Sequence, residues 1–142
     1  MNPQELVTTL KEQHRMLQAD LSVALENSKI ETKESLESVV SGLAKFRSNL
    51  LAHMKLEGEQ FYPDYFEKKI AKGENIENGK RFIKEMDELA KTIIEFLDKY
   101  AVAGSVGASL VDFRKELSAM ISTLNIRIET EEEGMFDFYL IM

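Results

Sequence analysis

Apolar residues recur every three or four positions along most of the chain, the spacing of a single buried face on an α-helix. This pattern predicts four helices. They run from about Pro3 to Glu26, from near Thr32 to Pro63 with a further turn or two up to Ile70, from about Lys80 to Tyr100, and from Leu110 onward. Because proline lacks a backbone N–H, Pro63 is expected to kink or end the second helix.

Short breaks separate the predicted helices. The segment Ala71–Gly79 is polar and ends in glycine, and the segment Ala101–Ser109 consists mainly of small residues, so both are predicted to be connections. Four helices of about twenty to thirty residues with short connections favour an all-α, antiparallel up-down-up-down four-helix bundle. Nothing suggests a second domain, so residues 1–142 are predicted to form one.

Composition narrows the possible partners and surroundings. The net charge of −7 and the lack of a basic cluster argue against binding nucleic acid. The absence of cysteine excludes disulfides, thiolate metal sites and cysteine nucleophiles. The N-terminus lacks the basic and apolar regions of a signal peptide, and no apolar run is long enough to span a membrane. A cytoplasmic protein with no membrane partner is therefore expected.

Five polar residues fall on the apolar faces of the predicted helices and are expected to point inward. They are His14, His53, Glu57, Arg127 and Glu131. Unpaired charges in a bundle core cost several kcal/mol each, so such a cluster requires a metal ion, mutual pairing or water. His53 and Glu57 are four residues apart, which puts both on one helix face at the spacing of a bundle-core metal site.

Each of these residues also has a purely structural interpretation. A single histidine on an apolar face can be a hydrogen-bonded core residue. Glu131 lies in an acidic run, which is typical of a solvated face. Arg127 could extend its guanidinium to the surface. Met86, the residue at the same level of the third helix, could simply fill the core, since thioethers seldom bind the metals that carboxylates prefer.

The segment Leu50–Pro63 resembles the second-helix motif of the hemerythrin-like family, the histidine-histidine-glutamate (HHE) cation-binding domains. Its pattern is L-x-x-H-x-x-x-E followed by an apolar-aromatic-proline stop. The segment Leu124–Asp137 repeats this pattern in the same frame, with arginine in the histidine position and aspartate in the proline position. Glu12–Leu17 resembles the first-helix ligand segment, and Lys84–Leu89 resembles that of the third helix, with Met86 where histidine is expected.

The family resemblance implies a site of two irons, four histidines and two bridging glutamates. Carried over to this chain, the retained metal ligands are His14, His53, Glu57 and Glu131, whereas Met86 and Arg127 replace two histidines. A site with these vacancies is expected to be an incomplete di-iron site that does not carry dioxygen.

Two hypotheses follow for the remaining site. In the first, Arg127 points inward and neutralises the two glutamates, so that the protein holds little or no metal and Arg127→His raises its metal affinity. In the second, Arg127 turns to solvent, and the four retained ligands bind one iron, manganese or zinc ion. The cofactor is thus expected to be non-haem iron, another divalent metal, or none.

The first hypothesis predicts a non-enzymatic binding or regulatory protein. The second predicts a mononuclear metal-binding protein that acts as a sensor, a store or in stress response. An oxidase or peroxidase is least favoured because so many ligands are missing, and no nucleophile–base motif is present. The apolar terminus Phe136–Met142 is expected to pack over one end of the bundle. Alternatively, it forms a surface for a homo-oligomer or a protein partner.

Overall fold

The computed structural model describes all residues from Met1 to Met142, and the fold is entirely helical. The α-helices are α1 (Pro3–Ser28), α2 (Lys33–Leu56), α3 (Tyr62–Ala71), α4 (Glu77–Lys99), α5 (Ala103–Ala108), α6 (Leu110–Thr130) and α7 (Asp137–Ile141). Two π-helical segments, Glu57–Phe61 and Glu131–Phe136, join α2 to α3 and α6 to α7. The prediction of an all-α helical bundle is confirmed.

Side-chain contacts between the long helices show the relative directions of these helices. In each pair, residues further along one helix contact residues that come earlier on the other. From α1 to α2, Gln13 bonds His53 and Asp20 bonds Asn49. From α4 to α6, Glu85 pairs with Arg127 and Lys99 pairs with Glu116. Neighbouring helices thus run in opposite directions at these contacts, which is compatible with an up-down-up-down bundle.

Pro63 does not end the second helical stretch. The backbone widens into the π-helical segment Glu57–Phe61 just before it, and the Tyr62 N–H bonds the carbonyl of Glu57. Pro63 then lies in the first turn of α3, where a missing N–H is tolerated. The same widening occurs at Glu131–Phe136, so the sequence repeat of the second and fourth helices is also a structural repeat.

Both predicted connections are shorter than expected. The polar loop ends at Ile76, because the side chain of Asn75 accepts a hydrogen bond of 2.7 Å from the Glu77 N–H at the start of α4. Gly79 therefore lies inside α4, where a Cβ atom would approach the Phe66 ring to 2.8 Å. The small-residue segment contains the short helix α5, anchored by the buried Val106.

The interior consists of two apolar clusters with a polar layer between them. One cluster of 17 buried residues surrounds Phe46 and Phe113, and the other, of 9 residues, surrounds Phe61 and Phe136. On α1, His14 lies between Leu17 of the first cluster and Leu10 of the second. The four buried histidine and glutamate side chains therefore lie at one level of the bundle, walled by apolar residues above and below.

The C-terminal segment packs against the second cluster. Phe136 and Tyr139 are buried, and the Tyr139 hydroxyl donates a 2.6 Å hydrogen bond to Asp64. The prediction that this segment covers one end of the bundle is confirmed, while its role in self-association stays a prediction. None of the helices has the length and apolar character that crossing a bilayer requires.

Candidate metal centre

Four side chains from three helical stretches meet in the polar layer. One nitrogen or carboxylate oxygen from each lies within 4.8 Å of the others, and each residue is at most 5% exposed. His14 comes from α1, His53 from the end of α2, and Glu57 and Glu131 from the first residues of the two π-helical segments. The structure thus brings together the four residues that the sequence singled out as ligands.

The two histidines face each other and each contacts one glutamate. Their ring centroids are 4.6 Å apart. His53 Nε2 lies 2.8 Å from Glu57 Oε1, and His14 Nε2 lies 3.0 Å from Glu131 Oε1. Both Nε2 atoms therefore point into the cluster, where they could coordinate a metal ion.

The outer nitrogen of each histidine is fixed by a further residue. His53 Nδ1 is 2.7 Å from the amide oxygen of Gln13, and His14 Nδ1 is 2.6 Å from a carboxylate oxygen of Glu132. Both oxygens accept, so each Nδ1–H donates outward while each Nε2 faces the cluster. Protein metal sites commonly orient ligating histidines in this way.

Burial controls the protonation of the cluster. It lowers the pKa of His53 and raises the pKa of Glu57, since desolvation disfavours the charged forms. Burial, together with the nearby Glu57 carboxylate, raises the pKa of Glu131 to about 7. Without a cation, burial therefore favours the protonated form of both carboxyl groups.

Tyr62 closes one side of the cluster. Its hydroxyl donates a 2.6 Å hydrogen bond to Glu131 Oε2, and burial raises its pKa, so it remains a neutral donor. Glu57 Oε2, in contrast, is buried without a hydrogen-bond partner. An unpartnered carboxylate oxygen in such a position costs free energy that a bound cation would offset.

The expectation that Arg127 points into the core is wrong. Its guanidinium extends from α6 to the surface, where Nη1 pairs with Glu85 Oε2 of α4 at 2.6 Å, and its side chain is 30% exposed. The guanidinium carbon also lies 5.8 Å from the centre of the Phe82 ring. Because a charged head is more easily solvated there than in the buried layer, the long side chain turns outward, and the glutamates receive no positive charge from it.

The donor set fits a metal ion. Two imidazole nitrogens and two carboxylates suit iron, manganese or zinc, and the orphaned Glu57 oxygen provides a further acceptor. Met86 lies partly buried on α4 and lines the same cavity as the four residues, but it offers no hard ligand. The chain has no second group of histidines and acidic residues arranged to hold an ion.

Several residues that shape the cluster were not anticipated from the sequence. Gln13 and Glu132 each adjoin a predicted ligand, but on a helix that neighbour points about 100° away, so the pattern gave no reason to choose them. Tyr62 belongs to the aromatic-proline stop of the motif, which was interpreted only as the end of a helix. Arg15 adds a bond to Glu132 from the exposed face of α1.

Comparison with known proteins supports the same assignment. The family model described as "Hemerythrin HHE cation binding domain" matches residues 5–139, nearly the whole chain. No curated protein and no solved structure matched the chain. The match includes all the helices that supply the His/Glu cluster. This chain therefore belongs to the hemerythrin HHE cation-binding domain family.

Proposed function

We propose that this protein binds one divalent metal ion through His14, His53, Glu57 and Glu131. The observation that supports this most strongly is the arrangement of the two imidazoles. Both Nε2 atoms face the two glutamates, and both Nδ1 atoms are anchored from outside. Such anchoring prepares a site before the ion arrives and so reduces the cost of binding.

A single ion is expected because the other half of the family site is missing. Met86 and Arg127 occupy the positions of two histidines, and Arg127 is engaged with Glu85. Iron, manganese and zinc all suit two imidazoles and two carboxylates. When bound, such an ion supplies a Lewis-acid centre and, in the case of iron or manganese, a change of oxidation state.

A binding role, as a metal sensor or in stress response, suits this site better than catalysis. The four side chains are buried between two apolar clusters, and the polar groups that adjoin them, from Gln13, Tyr62 and Glu132, each hold a ligand by a hydrogen bond. Within the polar layer, Tyr62 donates to Glu131 and holds that carboxylate in position. These groups orient the proposed ligands, which is what a stable metal-binding core requires.

The second candidate is a metal-free regulatory domain. One observation favours it, since all four histidine nitrogens already have partners: Glu131 and Glu132 for His14, and Glu57 and Gln13 for His53. A core satisfied in this way can fold without an ion. In this case the His/Glu layer would be a structural network, and the protein would act through its surface.

Glu57→Gln separates the two candidates. The change keeps the size of the side chain but removes a buried negative charge, so we expect metal affinity to fall by about a hundredfold or more. The matched control is Glu59→Gln, an exposed position of the same π-helical segment, which should leave affinity unchanged. Competition with a chromophoric chelator measures both. Equal metal affinity in the two variants would exclude Glu57 as a ligand and favour the metal-free domain.

A further inference from the structure

An apolar cavity lies beside the proposed metal site. Its volume is about 250 Å³, and the four His/Glu side chains form part of its wall. The remaining wall is mostly apolar and comes from all four long helices. It includes Leu17, Leu50, Phe82, Ala90, Ile93 and Leu124.

The cavity exists because no side chain fills the space between α4 and the neighbouring helices. Whereas α1 and α2 pack closely along their length, α4 approaches α2 and α6 at fewer points. Arg127, which borders the cavity, sends its guanidinium away to Glu85. Met86 remains only partly buried at the wall. The two positions that have lost histidine therefore leave a space rather than a packed core.

We propose that this cavity is a binding site for one small, uncharged and mostly apolar molecule, of the size of one or two fused rings. An engineered cavity of about 150 Å³ lined only by apolar side chains takes up benzene, and the larger, mostly apolar cavity here allows a somewhat bigger ligand. Concave, mostly apolar walls with a few polar groups are typical of small-molecule sites.

The charges around the cavity exclude ionic ligands. An anion would face the carboxylate of Asp87 and the acidic side chains of Glu57 and Glu131 in the cavity wall, and a cation would compete with the metal for the Glu57 and Glu131 oxygens. Arg127 cannot attract an anion at the other side, because Glu85 already neutralises it. An uncharged molecule avoids both costs. Met54 and Met86, which line the cavity, can adjust to its shape.

This inference goes beyond metal binding, and indole tests it independently. The chain contains no tryptophan, so the fluorescence of indole reports its own environment. Titrations use both metal-free and metal-loaded protein. We expect saturable binding of one indole per chain in both forms, with a blue-shifted emission. Failure to bind metal alongside normal indole binding would refute the metal proposal only.

Two variants locate the bound indole. Ala90→Phe fills the cavity from α4, and we expect it to weaken indole binding at least about tenfold. The matched control is Ala119→Phe, at an exposed position that lines a separate groove between α4 and α6, and we expect it to change affinity less than about twofold. Should Ala90→Phe not fold, Ile83→Phe fills the same cavity from its partly exposed wall.

Two results would overturn the proposal. One is the absence of saturable indole binding to either form of the wild-type protein. The other is binding that Ala119→Phe abolishes while Ala90→Phe or Ile83→Phe leaves it unchanged, which would place the ligand in the other groove. Circular dichroism and thermal melting of each variant establish that it is folded before the titration.

Discussion

The buried glutamates set the conditions under which an ion can bind. A metal ligand must be deprotonated, yet burial raises the pKa of Glu57 and brings that of Glu131 to about 7. His53 poses no such obstacle, because burial lowers its pKa and keeps the imidazole neutral. Protons would therefore compete with the proposed metal ion for the two carboxylates.

This competition predicts a pH-dependent metal affinity. Below a pH of about 7, Glu131 in the metal-free protein is mostly protonated, so a binding ion must displace that proton. We expect affinity to fall at least about tenfold for each pH unit below that point, and more steeply if Glu57 releases a proton as well. Chelator competition at several pH values measures the slope. A flat profile would show that these carboxylates do not bind the ion.

Arg127 distinguishes the present account from the hypothesis that an arginine replaces the metal. Because its guanidinium pairs with Glu85 at the surface, we expect Arg127→Ala to change metal affinity less than about threefold. Loss of this partly exposed ion pair should cost at most about 1 kcal/mol of unfolding free energy. If Arg127 occupied the metal position, the alanine variant would instead gain a large increase in metal affinity.

The four residues of the His/Glu cluster could be predicted from the sequence, but the direction of Arg127 could not. Helical spacing aligned His53 and Glu57 with the core, and the repeat added Glu131. The same spacing also placed Arg127 on the core-facing side of its helix. Helical periodicity gives the positions of Cα atoms and not the position of the end of a long side chain. Its outward turn depends on Glu85 of another helix, and sequence spacing holds no information about that contact.

Two π-helical segments are the elements that carry the glutamates. Each begins at its glutamate and is followed by a further short helix. The periodicity predicted continuous helices here, since one residue extra within a turn barely alters an apolar pattern. Only Pro63 signalled a disturbance, and the corresponding Asp137 gave no signal in the fourth helix. Such bulges are frequent at functional sites, which agrees with their position here.

Tyr139→Phe removes one hydrogen bond between α7 and α3. The Tyr139 hydroxyl donates to the Asp64 carboxylate at 2.6 Å, and its ring packs against Phe61. Because the phenylalanine ring preserves the packing, we expect a loss of about 1–2 kcal/mol in unfolding free energy. Urea denaturation measures it. Tyr65→Phe, a buried ring of the same cluster, is the control and should cost clearly less.

Across the whole molecule, the polar layer separates two apolar clusters. The fold could be predicted because the apolar positions of four long helices carry it, and burial of such faces dominates folding. The cavity could not be predicted, since it depends on the distance between α4 and its neighbours rather than on any residue pattern. Met86 and Arg127, at the two positions where the family resemblance implies histidine, do not indicate whether other side chains fill the space.

The central claim is that this bundle holds one divalent ion in its His/Glu layer. Elemental analysis of the freshly purified protein, extended by titration with iron, manganese and zinc after chelation, tests it most directly. We expect one ion per chain at saturation. A chain that takes up no ion under any of these conditions, or that takes up two, would contradict the account.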